Sequence, residues 1–447
     1  MITQRPISPF ELSFFRSAQI GPIQTGGLPI LMSSVVEGEL DADILRRVLA
    51  ELAAVHPMLG TEVIEGEPPR LRHVPGYRPP LTVVDGGDAE YLRLIDAEQD
   101  WRGGLFAARL LRDGDRSRIV LVLHHGIADG RSSVAVLDEM WRRYTAHAQG
   151  TALPVAAAHS LPEAIDDVLA QTISEAECAD LLDRMRGLVG EPPAMLPRDG
   201  GPGAPQRFVA ERIELGDTES AAFAAVAKRA GMSVNSLLSG CALVAMRSRF
   251  DTAAPLFMVC GYAADLRAAL HPPLPAHTVL NCASGWGTGL PVSEIADPVD
   301  LGRRVEDDVR AALDRRDPAR LALAARYIRD PRTAALVAGH PTLAISNIGR
   351  IPAHPTPAGV RVLRDDLAAL GPGMPAKLTA FSYDGRLTVQ VEYDTTDRSA
   401  AQMGEFRRAL SEWLRRTAAR AADLTAPGMR PVTASMGQHP GGAGMGR

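Results

Sequence analysis

Lysine is almost missing from this 447-residue chain: only Lys228 and Lys377 occur, and Arg supplies the other 46 of the 48 basic residues. Against 53 acidic residues this leaves a formal charge of −5. The broad positive field that a nucleic-acid protein works through is therefore absent, and no nucleic-acid partner is expected. Cysteine is scarce too. Cys178, Cys241, Cys260 and Cys282 stand 63, 19 and 22 residues apart, with no CxxC and no zinc-knuckle spacing, which predicts reduced thiols in a cytoplasmic protein. No run of 18 apolar residues occurs, so no membrane-spanning helix is expected. The opening MITQRPISPFELSFF puts Glu11 and two prolines where a signal peptide needs an apolar stretch.

What is present describes a globular protein. Hydrophobic residues make up 46% and charged residues 23% of the chain, and its 41 Gly and 34 Pro show no collagen-like period. At roughly 150 residues per domain, two or three domains are expected.

Patterning along the chain predicts an α/β protein. Residues 30–40 (ILMSSVVEGEL) read as a strand, after which Asp41 caps a helix with Ile44, Leu45, Val48, Leu49, Leu52 and Val55 at helical spacing. Residues 105–111 and 117–123 form a hairpin around Asp113-Gly114. HHGIADG follows, then a helix with Val134, Leu137, Trp141 and Tyr144 on one face. The second half repeats this grammar. It has a strand over 207–215, a helix capped by Asp217 or Thr218, and an apolar helix over 234–246 read as core. A hairpin of 377–383 and 386–393 around Asp384-Gly385 and a closing helix over 405–420 complete it. The expected organisation is an N-terminal subdomain over 1–190, a Pro/Gly-rich linker over 191–205, a C-terminal subdomain over 206–427 and a disordered tail over 428–447.

The chemistry concentrates in His124-His125-Gly126-Ile127-Ala128-Asp129-Gly130, directly after the strand Ile119–Leu123. Consecutive side chains at a strand end point in opposite directions, so at most one of the two imidazoles serves a given site. Asp129-Gly130 turns the chain into the next helix, whose N-terminal amides favour developing negative charge. A His there suits deprotonation of a nucleophile beside a nascent oxyanion, although a His at a strand end also serves structure alone. His125 and Asp129 are two metal ligands at most, too few for a site, so no metal is expected. Ser284 in NCASGWG lacks the flank of a GxSxG elbow. From spacing alone, Asp129 would orient His125 as in a triad.

HHGIADG matches the HHxxxDG motif, and the chain resembles the superfamily of chloramphenicol acetyltransferase, peptide condensation domains and plant alcohol acyltransferases. The closest resemblance is to the mycobacterial polyketide-associated (dimycocerosyl transferase-like) acyltransferases. It is carried by residues 124–146, 231–246, 260–288 and 345–350 (ISNIGR), and spans about residues 7 to 420. The resemblance implies two chloramphenicol-acetyltransferase-like subdomains forming a V, with the active site in a tunnel between them. It implies His125 as the general base that takes a proton from an acceptor hydroxyl or amine attacking an acyl thioester. The thioester would be carried by coenzyme A or by the phosphopantetheine of an acyl carrier protein, with no further cofactor. Asp129 would then form a structural ion pair, for which Arg267 of Asp265-Leu266-Arg267 is the candidate partner. Gly130 would leave room for substrate and lend an amide to the oxyanion. Asn281, Ser284 and His124 would contact substrate, and Ser346 and Asn347 flank the tunnel without an assigned role. After Asn281 the chain reads NCASGWG, without the Leu-Pro of peptide condensation domains, which favours ester over amide formation. A non-catalytic scaffold would be expected to carry an altered motif, and here both histidines, Asp129 and Gly130 are intact. A thioester hydrolase would use the same His on water. A monomer is the default expectation.

Overall fold

The structure is a computed structural model that describes residues 3–15, 29–153, 160–187, 192–337, 339 and 341–423. The segment 428–447 and Glu191 at the head of the expected linker lie outside the described residues. In chain order the strands are β1 (Gln4–Pro6), β2 (Pro29–Glu37), β3 (Thr61–Ile64), β4 (Arg70–His73), β5 (Leu81–Asp85), β6 (Phe106–Asp113) and β7 (Arg116–His124) in the first half. The second half holds β8 (Phe208–Glu214), β9 (Leu256–Asp265), β10 (Ala283–Val292), β11 (Leu343–Ile351), β12 (Arg361–Ala368), β13 (Lys377–Tyr383) and β14 (Arg386–Asp394).

Two sheets dominate, one ordered β12-β2-β7-β6-β5 and the other β10-β9-β11-β13-β14-β8, beside a small sheet β1-β4-β3. One face of the first sheet packs Met32, Ile119, Leu121 and Leu123 against Leu45, Val48, Leu49 and Leu52 of α2 (Ala42–Val55), and against Leu137, Met140 and Trp141 of a later helix, Gly130–Gln149. The second sheet packs Met258, Leu378, Val389 and Val391 against the helices Val234–Arg247 and Ala400–Asp423. Leu31, Val120 and Val122, on the other face of the first sheet, meet Phe208, Ala368 and Met374 in a third cluster between the halves. The period-two burial of these strands is what puts one apolar set on each face.

Local chemistry accounts for the element ends. Asp41 accepts the amides of Asp43 and Ile44 and caps α2. Asp384 and Gly385 both have positive φ, as the type I′ turn between β13 and β14 requires. In the first hairpin the central residues are Gly114 and Asp115, one position later than Asp113-Gly114, because the residue that must adopt positive φ first is Gly114 (φ 62°). The helix Asp217–Arg229 begins after Gly216, whose amide is taken by Glu219, so Asp217 and Thr218 are helical and not caps. The stretch read as a linker is tied to the second half: Ala194 N donates to Phe257 O at 2.8 Å and Gly201 N to Thr395 O at 3.1 Å.

The two halves interlock. β12 leaves the second half and pairs antiparallel with β2, Arg361 opposite Glu37 and Ala368 opposite Leu31. On it, buried Asp366 accepts from Arg118 of β7 at 2.9 Å and is also paired with Arg212 of β8 and Arg364, so one carboxylate joins both sheets. Burial alone would raise its pKa, but the three guanidinium groups hold it below the ordinary carboxylate value. The crossing segment is pinned by His354, whose side chain is fully buried, with Nε2 2.9 Å from Asp365 and Nδ1 3.4 Å from Asp138. All four cysteines are buried and unpaired. Among the described residues no helix is long and apolar enough to cross a membrane.

Burial would push the His354 pKa down, yet the two carboxylates outweigh it and raise it to about 9. Its stabilising contribution is therefore complete below the unfolded-state value of about 6.5 and is lost as pH rises through the folded-state value. The wild type is expected to lose on the order of 3 kcal/mol relative to His354→Gln between those limits. Denaturant midpoints measured across that range check this, and parallel curves would refute it.

Candidate active site

The first sheet delivers both histidines at the end of β7. His124 is 2% exposed, and its Nδ1 accepts the Gly126 amide at 2.9 Å. One face stacks on Phe15 at 4.3 Å and 15°, and Trp101 meets it edge-on at 4.9 Å. Desolvation, with a smaller repulsion from His125, takes its pKa down to about 3. His124 is thus a neutral side chain that holds the turn. Gly126 is glycine because a Cβ there would lie 2.3 Å from the Phe15 ring.

His125 points the other way and keeps partial exposure. Its ring stacks on Phe14 of α1 (Pro9–Phe15) at a centroid distance of 4.9 Å and an interplanar angle of 29°. Nδ1 is buried with no hydrogen-bond partner of good geometry. Burial lowers the pKa below the ordinary imidazole value, against the opposing pull of the His125 and Ala128 carbonyls and of Asp129; Lys377 adds to the lowering. The ring is neutral at physiological pH.

Asp129 closes the motif as the N-cap of the helix Gly130–Gln149. Its Oδ1 accepts from Ser132 N at 2.8 Å and Arg267 Nη2 at 3.1 Å; its Oδ2 accepts from Arg267 Nη1 at 2.8 Å and Cys282 N at 2.9 Å. Four donors occupy the carboxylate, which has about four acceptor sites, and none of them is His125. The triad reading drawn from spacing is corrected on this ground: Asp129 ties a helix N-terminus to the second half and does not orient the imidazole.

Arg267 is 3% exposed, and besides Asp129 it donates to Asp265 Oδ1 at 3.0 Å, Ser132 Oγ at 2.8 Å and Leu280 O at 2.9 Å. Burial opposes its charge, but Asp129 outweighs it and the pKa is raised, so the pair stays ionised. Ser132, which no sequence pattern singled out, completes the junction by donating to Leu280 O at 2.9 Å and accepting from Leu280 N at 3.2 Å.

The remaining candidates divide. Asn281 is 1% exposed, with Oδ1 accepting the Ala283 amide at 3.1 Å in a local turn and Nδ2 buried without a partner. Ser284 donates its hydroxyl to Pro318 O at 2.8 Å, joining β10 to a neighbouring helix. Gly130 does not leave open space: a Cβ there would lie 2.6 Å from Ile348 Cδ1, so the missing side chain admits β11. Asn347 accepts the Gly349 amide at 2.9 Å at a bulge in β11, which is turn chemistry. No group of three or more potential metal ligands occurs among the described residues.

Comparison with known proteins agrees with this architecture. Residues 204–392 match the family described as the phthiocerol/phthiodiolone dimycocerosyl transferase C-terminus. The phthiocerol/phthiodiolone dimycocerosyl transferase of Mycobacterium leprae is 26% identical over 300 residues, covering 63% of this chain and 69% of that protein. Polyketide synthase associated protein 5 from Mycobacterium tuberculosis superposes with a TM-score of 0.71 at 21% identity, over 93% of this chain and 98% of that one. The first condensation domain of the CDA synthetase superposes with a TM-score of 0.70 at 16% identity, over 94% and 97% of the two chains.

Removing one partner of a buried, hydrogen-bonded ion pair leaves the other charge stranded, at about 3–5 kcal/mol. Arg267→Ala is expected to lose stability on that scale in denaturant unfolding. Arg267→Lys is expected to recover little, because a point charge cannot span both Asp129 oxygens, Ser132 Oγ and the Leu280 carbonyl. A midpoint unchanged in Arg267→Ala would show that the junction does not depend on this pair. The two-subdomain α/β architecture is the fold of the condensation-like acyltransferases, and in sequence the chain is similar to the mycobacterial dimycocerosyl transferases, over residues 204–392 to their C-terminal part.

Proposed function

We propose that this protein transfers an acyl group from a thioester, on coenzyme A or on the phosphopantetheine of a carrier protein, to the hydroxyl of a natural-product or lipid acceptor, with His125 as general base. One observation carries the reading. A neutral, largely desolvated imidazole stands at the junction of the two halves, directly before the N-terminus of the helix Gly130–Gln149, while the neighbouring carboxylate is fully engaged elsewhere. A neutral imidazole can accept a proton, and a helix N-terminus favours the negative charge that an attacked carbonyl develops.

In this mechanism Nδ1 carries the ring proton and Nε2 accepts the proton of the acceptor hydroxyl as its oxygen attacks the thioester carbonyl. The tetrahedral oxyanion forms near the Gly130 amide and collapses with cleavage of the carbon–sulfur bond. The departing thiolate takes the proton back from the imidazolium, so ester and thiol are released and His125 is regenerated. No covalent acyl-enzyme is needed because the thioester is already activated. Ester formation is favoured over amide formation by the sequence likeness to a dimycocerosyl transferase and by the lack of Leu-Pro after Asn281. The fold likeness to a condensation domain keeps the amide as the second product to look for.

The test is product analysis and intact-mass spectrometry with a panel of acyl thioesters, each presented on coenzyme A and on a carrier protein, with alcohol and amine acceptors. Transfer that requires an acceptor is expected, and His125→Ala, folded, should be slower by about two to four powers of ten. Free acid formed without an acceptor would indicate a hydrolase. A folded His125→Ala that keeps nearly full activity would refute the assignment. Because the His125 pKa lies below the ordinary imidazole value, the acid limb of kcat/KM is expected below pH ~6.5. An acid limb above that value would place a different base in the reaction.

A further inference from the structure

No carboxylate is hydrogen-bonded to the imidazole of His125; the carbonyls of His125 and Ala128 and, through space, Asp129 are what favour its charged form. Asp129 donates nothing to its orientation, all its acceptor positions being filled, and Nδ1 has no partner of good geometry. What does touch the ring is Phe14, stacked on it with ring centroids 4.9 Å apart and planes inclined by 29°. Phe14 is itself held. Phe10 meets it edge-on at 5.5 Å, and α1 is anchored by the buried pair of Glu11 with Arg5, whose guanidinium spans both carboxylate oxygens at 2.7 and 2.6 Å. Arg5 Nε in turn donates to Pro162 O at 2.8 Å, fixing the segment to the rest of the first half.

We propose that Phe14 is the positioning residue of His125: its ring face substitutes for the carboxylate of a triad, fixing the tilt of the imidazole and supporting the positive charge it acquires when it takes the acceptor's proton. The physical basis is the aromatic quadrupole. A face presented to imidazole attracts the cation formed on protonation, and the attraction strengthens where water is excluded. A flat contact also fixes the ring plane, and so the direction of Nε2, without consuming either nitrogen.

The other charged and polar groups facing His125 offer no flat face to its ring. Asp129 acts on it only through space and is neutralised by Arg267. Lys377 opposes the cation, and it is paired with buried Glu392 at 2.7 Å. The carbonyls of His125 and Ala128 favour a protonated ring but are fixed in the turn. His124 is neutral and faces Phe15.

This inference builds on His125 as the base of the proposed transfer, and its test separates the two. Phe14→Leu keeps bulk without a π face, and Phe14→Tyr restores the face. In steady-state assays Phe14→Leu is expected to lose about ten- to a hundredfold in kcat with KM within about threefold, and Phe14→Tyr to stay within about threefold of wild type in both. Independently of turnover, 13C-histidine NMR reads the His125 titration, assigned by the signal missing from His125→Gln. It should move to lower pH in Phe14→Leu and keep the wild-type position in Phe14→Tyr, with thermal melts confirming that both variants are folded. A His125 titration and kcat unchanged in Phe14→Leu would overturn the proposal. If wild type transfers no acyl group in any donor–acceptor combination, the proposed reaction fails, and the NMR titration alone decides whether Phe14 governs the imidazole.

Discussion

The buried contact between Arg267 and Asp129 sets the geometry on which the candidate site depends. Two guanidinium nitrogens reach two carboxylate oxygens at 2.8 and 3.1 Å, and the same guanidinium grips Ser132 Oγ and the Leu280 carbonyl. Asp129 belongs to the helix cap that follows β7, whereas Arg267, Leu280 and Cys282 belong to the second half between β9 and β10. Each charge would be costly alone in this environment, and together with the amides of Ser132 and Cys282 they leave no acceptor position of the carboxylate open. The arrangement therefore works only if the two halves meet in one register. His125, four residues before Asp129, is carried to that junction by the same turn.

A single ion pair would not keep two sheets in register along their length, and the chain adds a covalent crossing. β12 comes from the second half but completes the first sheet beside β2. Asp366 on that strand gathers Arg118, Arg212 and Arg364, and His354 before it bridges Asp138 and Asp365. Such buried polar groups cost solvation in either half alone and are satisfied only in the assembled pair, which is how they specify one arrangement. Gly130 belongs to the same logic, since its missing side chain admits Ile348 of β11.

The sequence was informative where chemistry is local. The I′ turn at Asp384-Gly385, the cap at Asp41 and the strand–turn–helix reading of HHGIADG each follow from residues a few positions apart, and each stands in the structure. It was silent where partners are far apart. Residues 361–368 have ordinary strand composition, and nothing in their pattern says which sheet they complete. Phe14 and Phe15 lie some 110 residues before the histidines they cover. Nothing in the local pattern around Phe10 and Phe14 says what they meet. Arg267 was reached through resemblance, because an Arg after a strand carries no mark of burial. The triad reading of Asp129 failed for a physical reason: spacing says which side chains come close, not which donors reach them first. A backbone amide two residues into the helix and a forked guanidinium left nothing for the imidazole.

That outcome fits the proposed chemistry. A carboxylate hydrogen-bonded to the imidazole would raise its basicity and make the imidazolium a weaker acid. A thioester departs as a thiolate whose conjugate acid has a pKa of about 8.5, so the demand on the base is confined to removing the acceptor's proton. A neutral imidazole of lowered pKa, held in plane by an aromatic face, meets that demand and stays unprotonated through mildly acid conditions. The carboxylate of the motif is then free to serve the architecture. In this protein the Asp of HHxxxDG joins the two halves, and the same turn carries His125 to their junction.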